Sequence, residues 1–346
     1  MDKIKVGVIG CGSIARYRHV PEYAANPDAE LVALCDIVEE RAKDLAATYG
    51  GVVYTDYMDV ISRPDIDAIS VCLPNYLHAP VSIAALKAGK HVLCEKPMAT
   101  SAAEAEAMIK EAEESGKILM IGHNQRLMPP HIKAKQILDS GELGKIYSFR
   151  TTFGHAGPEG WCADKNNKTW FFRKKEAFVG AMGDLGVHKA DLMRWLLGEE
   201  IVEVGAFVET RGKTYDDGSL IDVDDNAVCI LKTENGIIGT LTASWTYKGS
   251  EDNSTTIYCE KGVIKLGADP DFEVVVDYAN GQRACYKVGE IATNEKQVSS
   301  GVIDLFIKHI VNGEQPIISG EEGYKALKIV LACLESAEKK AVVPVK

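Results

Sequence analysis

Two short motifs, far apart in the chain, carry residues suited to acid–base chemistry. The first is Glu95-Lys96-Pro97, which follows a short apolar run. Pro97 restricts Lys96 to extended geometry, so the lysine side chain has a fixed direction. A lysine in such a place can hydrogen-bond a substrate hydroxyl and stabilise a developing alkoxide. The alternative is a solvated lysine in a surface loop.

The second motif joins Asp184 and His188 at a spacing of four residues. Residues four apart share one face of a helix, so these two side chains are expected to be neighbours, and Asp191 can share that face. A carboxylate beside an imidazole fixes its tautomer and raises its basicity. Such a pair suits the removal of a proton from an alcohol as hydride leaves. The alternative is a histidine satisfied in the core and an aspartate that caps a helix.

A glycine-rich turn precedes both motifs. The run from Gly10 to Ala15 has the pattern G-x-G-x-x-A and lies between an apolar strand and a helical pattern. The first glycine makes the tight turn, the second lets the backbone approach a pyrophosphate, and the small last residue permits close helix–strand packing. The start of a helix adds amide donors and partial positive charge. We therefore expect a dinucleotide to contact Gly10, Gly12, Ser13 and Ile14.

Asp36 ends the second predicted strand and bears on the choice of dinucleotide. A carboxylate there can accept both ribose hydroxyls of NAD and would repel the additional phosphate of NADP. Ile37 beside it supplies no positive charge for that phosphate, so NAD is expected in preference to NADP. The alternative role for Asp36 is to cap the helix that begins at Val38.

Other polar residues follow strands at the same edge of the predicted sheet, where ligands of such sheets bind. Leu73-Pro74-Asn75 and His78 are placed to contact the nicotinamide ribose, although Asn75 can instead cap the next helix. Glu95 and Lys96 lie at this edge too. Asn124 and Arg126, just past the predicted strand that ends at Ile121, are expected to face the same cleft.

The elements that position these motifs form two groups. In the first, continuous apolar strands alternate with helices, which indicates a parallel sheet covered on both faces. Ser101 and Glu104 form a capping box at one helix start. The predicted strands are Ile4–Ile9, Leu31–Cys35, Ala68–Leu73, His91–Cys94 and Ile118–Ile121, and the predicted helices are Ile14–Ala25, Val38–Tyr49, Tyr76–Ala88 and Ser101–Ser115.

In the second group, strands follow one another directly, which predicts a mostly antiparallel, open-faced sheet in an α+β domain. Glu234-Asn235-Gly236 is a hairpin turn signal. The predicted strands are Lys145–Phe153, Val202–Glu209, Ala227–Lys232, Ile237–Trp245, Ser254–Tyr258, Val263–Leu266 and Glu273–Val276, and the predicted helices are His131–Ser140, Ile303–Asn312 and Glu321–Ala337. The fold class is therefore α/β, with a dinucleotide-binding domain over residues 1–122 and a substrate-binding and oligomerisation domain over 123–346, whose last helix can pack back on the first domain.

Composition narrows the classes of function. The chain has 346 residues, a formal net charge of -11 and a pI near 5.3, so nucleic acid and anionic membranes would repel it. The nine cysteines are odd in number and mostly lie in apolar runs, which argues against a disulfide framework and a zinc ribbon and suits a reducing cytoplasm. No metal site, signal segment or apolar stretch long enough to span a bilayer is predicted.

At these motifs the chain resembles the Gfo/Idh/MocA family of oxidoreductases. The resemblance covers essentially the whole chain, including the closing stretch from Pro316 to Ala337. It implies a Rossmann domain followed by an open-faced sheet, assembly into homodimers or homotetramers, and a cis Lys96–Pro97 peptide. It also implies that Lys96, Asp184 and His188 are the catalytic set. One departure is the run from Val179 to Gly183, where many relatives have consecutive glycines, so the local backbone is less permissive.

The resemblance places the loop from Gly154 to Ala177 near the substrate. Its aromatic residues, Trp161 and Trp170 among them, can face the apolar C–H surface of a sugar ring, or they can only anchor the loop. With Lys96, Arg126, Asp184 and His188 they form the expected substrate site.

The expected function is NAD-dependent oxidation of a ring secondary hydroxyl of a sugar, glycoside or inositol to a ketone. Two alternatives stay open at this point. One is an NADP-dependent reductase, or an enzyme that keeps its nicotinamide bound. The other is a non-catalytic regulator that senses NAD.

Overall fold

The computed structural model describes residues 2–164, 166–291 and 299–346. The first sheet is parallel and has six strands, in the order β3-β2-β1-β4-β5-β6. The strands are β1 (Ile4–Ile9), β2 (Ala29–Cys35), β3 (Val52–Tyr54), β4 (Ala68–Val71), β5 (His91–Cys94) and β6 (Leu119–Ile121), and the helices between them are α1 (Val20–Ala25), α2 (Glu39–Tyr49), α3 (Tyr57–Ile61), α4 (His78–Lys87) and α5 (Ala102–Ser115). The order reverses between β1 and β4, and this is the crevice where such sheets bind dinucleotides.

Most elements of this sheet agree with the sequence patterns. The first predicted helix is divided, because a π-helical turn, Ala15–His19, precedes α1. The capping box is half confirmed: Ser101 Oγ accepts the Glu104 N–H, while the Glu104 carboxylate binds the N–H of Thr100. The patterns missed β3 and α3, since elements of three and five residues are too short to show a period.

The second sheet has nine strands, in the order β14-β13-β12-β11-β7-β10-β9-β8-β15. They are β7 (Ile146–Gly154), β8 (Ile201–Glu209), β9 (Asn226–Thr233), β10 (Ile238–Ser244), β11 (Thr255–Cys259), β12 (Gly262–Leu266), β13 (Val274–Tyr278), β14 (Arg283–Tyr286) and β15 (Val343–Pro344). All pairings are antiparallel except that of β7 with β10. The predicted turn at Gly236, which has a φ of 89°, joins β9 to β10, and the patterns missed β14 and β15.

Helices cover one face of this sheet and link it to the first. The helices of the second part are α6 (Pro129–Asp139), α7 (Lys174–Ala177), α8 (Val187–Leu197), α9 (Val302–Asn312) and α10 (Gly320–Lys339). Helix α10 contributes Val330 and Cys333 to the core of the second sheet and Leu327 to that of the first. Helix α9 packs Phe306 and Ile307 against the first sheet.

The predicted fold class, a Rossmann sheet followed by an open-faced and mostly antiparallel sheet, is confirmed. The division into domains at residue 122 stays a prediction. Within the described ranges, none of the helices combines the length and the apolar character needed to cross a membrane.

Candidate active site

A cleft of about 440 Å³ lies between the two sheets, a size suited to small ligands and cofactors. It is bordered by the carboxyl ends of strands of the first sheet and by the segment that follows β7. The sequence-predicted site residues that line it are Gly10, Gly12, Ser13, Ile14, Asp36, Ile37, Leu73, Pro74, Asn75, His78, Glu95, Lys96, Asn124, Trp161, Trp170, Asp184 and His188. Arg126 is the one predicted site residue outside this set.

The glycine-rich turn from Gly10 to Ala15 has the geometry of a phosphate-binding loop, and we call it the phosphate cradle. Gly10 has a φ of 94°, and a Cβ there would lie 2.2 Å from the carbonyl oxygen of Cys72, so only glycine fits. A Cβ on Gly12 would meet no atom within 4 Å, which leaves the groove open above the backbone. Ala15 is fully buried where helix and strand pack. The residues present therefore fit the pyrophosphate of a dinucleotide.

Asp36 supports the turn and lines the cleft, but it does not cap α2, whose N-cap is Val38 without a side-chain cap. Its carboxylate accepts the N–H of Val38 at 2.8 Å and the N–H of Cys11 at 2.8 Å, which closes the glycine-rich turn. Each oxygen keeps a second lone pair, and the residue lines the cleft. Asp36 can therefore hold ribose hydroxyls while it supports the turn. Ile37 beside it is 89% exposed and brings no charge.

A segment of the second domain crosses this end of the cleft. Ser13 Oγ donates to the carbonyl oxygen of Trp161 at 3.0 Å, and Arg41 pairs with Asp164 at 2.5 Å. Arg41 also lines the cleft near Asp36, and the sequence reasoning did not include it. These two contacts hold the segment from the second sheet against the phosphate cradle.

Asn75 and His78 line the cleft and also make hydrogen bonds to main-chain oxygens of other segments. Asn75 Nδ2 donates to the carbonyl oxygen of Ala177 at 2.8 Å, which ties the two domains together, and its side chain caps no helix. Both ring nitrogens of His78 lie 2.7 Å from main-chain oxygens, those of Leu73 and Pro97. His78 lines the cleft, and its expected contact with the ribose stays a prediction, although both ring nitrogens are engaged by main-chain oxygens.

Glu95 binds the main chain of Lys96 and the ring of His19. Its Oε1 lies 2.9 Å from His19 Nε2, and its Oε2 accepts the main-chain N–H of Lys96 at 3.2 Å. Burial opposes ionisation of Glu95, but His19, Lys96 and Arg18 outweigh it and hold the pKa at about 2. The peptide between Lys96 and Pro97 is cis, as the family resemblance implies. Glu95 therefore links the π-helical turn that follows the phosphate cradle to the segment Glu95-Lys96-Pro97.

Lys96 reaches across the cleft to Asp184. Its Nζ donates to Asp184 Oδ1 at 2.8 Å and to the Asp184 carbonyl oxygen at 3.0 Å, while Trp245 Nε1 donates to Asp184 Oδ2 at 3.1 Å. The expectation that Asp184 orients His188 is corrected, because this carboxylate is engaged by the lysine and the indole. Asp184 lies in a π-helical turn, Met182–Gly186, at the start of α8.

His188 lines the cleft close to this ion pair, with its ring 5.9 Å from that of Phe153 and 6.5 Å from that of His123. Its Nδ1 is buried without a hydrogen-bond partner among the described residues. Burial and the nearby cations, first Lys96, lower the pKa of His188 well below its ordinary value of 6.5. The imidazole is therefore neutral at pH 7, and one of its two ring nitrogens carries a free lone pair.

Arg126 belongs to a buried ion network and does not line the cleft. Its guanidinium binds both carboxylate oxygens of Asp191, at 2.7 and 2.5 Å, and Glu322 of α10 at 2.7 Å. Arg194 contacts the same Glu322. The predicted substrate role of Arg126 is thus corrected, and Asp191 serves this network instead of assisting His188.

Aromatic rings form one wall of the cleft, which we call the aromatic wall: His155, Trp161, Trp170 and Phe171. Trp170 stacks on Phe171 with centroids 3.9 Å apart, and Trp161 packs edge-on against both Phe171 and His155. Trp161 Nε1 has no hydrogen-bond partner among the described residues. The tryptophans therefore both anchor the loop and face the cleft.

Sequence reasoning missed Arg41, His123, His155 and Trp245. His155 and His123 each lie two residues beyond the end of a predicted strand, and that position could have marked them. Arg41 and Trp245 carry no such signal, because their roles depend on contacts with distant segments. Among the described residues no cluster of three or more His, Cys, Asp or Glu is arranged to hold a metal ion.

The Rossmann sheet, the phosphate cradle and the acidic residue at the end of β2 define a dinucleotide-dependent oxidoreductase. Residues 4–123 match the oxidoreductase family with an NAD-binding Rossmann fold, and residues 131–265 match the Gfo/Idh/MocA C-terminal domain. The chain belongs to the Gfo/Idh/MocA family, and its cofactor is NAD.

Individual relatives match over almost the full length. Levoglucosan dehydrogenase of Pseudarthrobacter phenanthrenivorans is 30% identical over 94% of this chain and 90% of that protein. Myo-inositol 2-dehydrogenase of Thermotoga maritima is 29% identical over 97% of both. A structure of levoglucosan dehydrogenase in complex with NADH superposes with a TM-score of 0.87 at 28% identity, over 100% of both chains.

Proposed function

We propose that this enzyme oxidises a ring secondary hydroxyl of a sugar, glycoside or inositol to a ketone, with Lys96 and His188 as its acid–base residues. The observation that carries the proposal is the contact of Lys96 with Asp184, which brings an amine of the first domain beside His188 of the second in the cleft that holds the phosphate cradle. NAD bound there supplies the acceptor for the hydride.

His188 is the base of the proposed reaction. Because its ring is neutral at pH 7, it can take the proton of a substrate hydroxyl as the carbon–oxygen double bond forms. Lys96 binds the same oxygen and stabilises the negative charge that develops on it. Asp184 orients Lys96 through its carboxylate and its main-chain carbonyl.

The substrate class follows from the aromatic wall and from the relatives. A pyranose or cyclitol ring has apolar C–H faces and hydroxyl edges, so it can lie against stacked aromatic rings. Trp161 Nε1 is buried without a hydrogen-bond partner among the described residues, so a substrate hydroxyl that displaced the wall slightly could accept its hydrogen. Relatives named for levoglucosan and myo-inositol are consistent with inositols and pyranosides, including glucosides oxidised at C3.

The test uses His188→Ala and Lys96→Met, with Lys87→Met as the control for loss of an exposed lysine. General acid–base catalysis contributes ~10²–10⁴-fold, so each site variant should lose at least ~10²-fold in kcat. NADH affinity, measured by fluorescence titration, should stay near normal in all three. Unchanged turnover in His188→Ala or Lys96→Met would refute the assignment.

A substrate panel followed at the NADH absorbance band tests the class of substrate. Cyclic polyols and pyranosides should support NADH formation, and linear polyols should support much less. If no cyclic compound in a broad panel were oxidised, the proposed substrate class would be wrong.

We also propose that the enzyme is a homodimer or homotetramer formed through the open face of the second sheet. Along β9, buried residues alternate with exposed ones, and exposed large apolar side chains continue onto β7, β8 and β10. They are Tyr147, Phe207, Val228, Ile230 and Ile238. Contiguous apolar patches of this kind mark association sites. Sedimentation velocity at micromolar concentration should give a dimer or larger species, and a monomer would contradict the proposal.

The proposed location is the cytoplasm. All nine cysteines are free, and all but Cys285 are buried, which suits a reducing compartment.

A further inference from the structure

Two adjacent carboxylates, Asp224 and Asp225, lie outside the cleft but hold the two segments that lead to its borders. Both are buried, immediately before β9, and neither takes part in the chemistry proposed above. Each carboxylate binds main-chain amides of a different distant segment. The two segments lead to different parts of the active site.

Asp224 fixes the start of the helix that carries the catalytic residues. Its Oδ1 accepts the N–H of Gly180 and its Oδ2 accepts that of Met182, both at 2.7 Å, while its carbonyl oxygen accepts the N–H of Ala181 at 2.9 Å. The first amides of a helix lack partners within the helix, and negative charge there is favourable. Burial raises the pKa of Asp224 to about 6, so the carboxyl is largely ionised at pH 7, as the amide donors require.

This attachment allows little movement. A Cβ on Gly180 would lie 1.8 Å from the carbonyl oxygen of Asp224, so the two backbones are in direct contact. The next turn begins at once, because the N–H of Asp184 donates to the Gly180 carbonyl oxygen at 2.9 Å. Lys96 then binds both the carboxylate and the carbonyl oxygen of Asp184. A displacement of the helix start therefore moves the lysine, and displacements of about 1 Å can cost ~10²-fold in rate.

Asp225 acts on the other side of the cleft. Its carboxylate accepts three successive amides, those of Arg211 at 2.8 Å and of Gly212 and Lys213 at 2.7 Å. The turn so formed directs the buried Lys213 Nζ onto the carbonyl oxygen of Ala156 and the carboxylate of Glu159.

The segment that Lys213 holds contains part of the aromatic wall. Gly157 N–H donates to His155 Nδ1 at 2.9 Å, and Trp161 packs edge-on against the His155 ring. Lys213 binds Ala156 and Glu159, which lie between His155 and Trp161 in the sequence. It therefore fixes the distance between these two rings. Loss of the Asp225 carboxylate should therefore loosen the wall without touching the Lys96–Asp184 contact.

We infer that Asp224 and Asp225 are positioning residues with separate tasks: Asp224 places the Asp184–Lys96 pair and so governs turnover, whereas Asp225, through Lys213, places the aromatic wall and so governs substrate affinity. This inference rests on the proposed function, since it assigns consequences to residues of that site.

The experiment compares Asp224→Asn, Asp225→Asn and Lys213→Met in the full-length enzyme, with Asp216→Asn as the control for an exposed carboxylate of the same region. Asp224→Asn should lower kcat ~10–100-fold and leave KM for the substrate within about threefold. Asp225→Asn and Lys213→Met should each raise KM about tenfold and leave kcat within about threefold. The double variant of Asp225 and Lys213 should be no worse than Lys213→Met alone, because both act through one contact.

Thermal melting and NADH affinity are measured on every variant. Should Asp224→Asn not fold, Asp224→Glu keeps the charge at the helix start and displaces it, so kcat should still fall. Parallel changes of kcat and KM in the two aspartate variants, or lower melting temperatures with unchanged kinetics, would overturn the inference. Lys96→Met is assayed alongside. If it keeps full turnover the proposed function fails, whereas loss in Lys96→Met with normal kcat in Asp224→Asn or Asp224→Glu defeats only this inference.

Discussion

The phosphate cradle and the contact of Lys96 with Asp184, which we call the junction, are built in opposite ways. The cradle is local, since Asp36 closes the turn by accepting the N–H of Cys11, 25 residues away in the same sheet. The junction of Lys96 with Asp184 spans 88 residues and joins two domains. The turn and its acidic residue are therefore held within the first sheet, whereas the proposed catalysis needs the two sheets to be docked. Substitutions in the two regions should affect different measurable quantities.

Asp36→Ala should weaken NAD binding by ~10–100-fold, the largest change in cofactor affinity expected from the cradle. Hydrogen bonds to a charged acceptor are worth about 1.5–3 kcal/mol, and the ribose hydroxyls lose this acceptor. Because the cradle is separate from the junction, kcat at saturating NAD should stay within a few-fold. Fluorescence titration with NADH and initial rates at rising NAD concentration measure the two quantities.

Two variants sharpen that result. Asp28→Ala removes an exposed carboxylate just before β2 and should leave NAD affinity unchanged. Asp36→Asn keeps one acceptor for the turn and should lose less affinity than Asp36→Ala. If kcat fell as strongly as affinity in Asp36→Ala, the cradle would not be independent of the junction, and the contrast between the two regions would be lost.

The same contrast explains what the sequence could predict. The cradle was predictable because its requirements are local: glycine where φ is positive, a small residue where helix meets strand, and an acid at a strand end. Lys96 and His188 were found through motifs, but the partner of Asp184 was not. Helical spacing favoured His188, whereas tertiary packing brings Lys96 and Trp245 to that carboxylate.

Arg126 was misassigned for a related reason. Its position after β6 predicts a residue that faces the cleft, but α8 and α10 supply Asp191 and Glu322, which bury it. Partners 65 and 196 residues away leave no periodic signal in the sequence. The fold class was recoverable because strands and helices do have such periods.

The ion network around Glu322 supports the docking on which the junction depends, so Glu322→Gln should lower stability by about 2 kcal/mol at pH 7. Burial alone would raise the pKa of Glu322, but Arg126 and Arg194 outweigh it and hold the pKa at about 2. One pKa unit is worth about 1.4 kcal/mol, and partial exposure screens part of the gain. Denaturant unfolding measures the loss, with Glu338→Gln on the same helix as the exposed control.

The pH dependence of this loss gives a second measurement. A carboxyl whose pKa is lowered on folding stabilises the protein above its unfolded value of about 4.5, and that contribution disappears as the pH falls towards 2. The wild type should therefore lose stability more steeply than Glu322→Gln below about pH 4.5. Equal slopes for the two proteins would show that Glu322 is not held ionised by the arginines.

The smallest effect is expected at the contact of Arg41 with Asp164, where the second domain reaches the cradle. Asp164→Asn removes the ion pair with Arg41, and both side chains are partly exposed, so the pair is worth about 0.2–1 kcal/mol. If the segment around Trp161 and Asp164 retains bound cofactor, the NADH dissociation rate measured by stopped-flow displacement should rise about two- to fivefold.

Arg41→Met should give the same increase, and the double variant should add nothing further. Because exposed pairs are screened by salt, the difference from wild type should shrink at high ionic strength. A dissociation rate that none of these variants alters would mean that the cradle alone sets how long the cofactor stays bound.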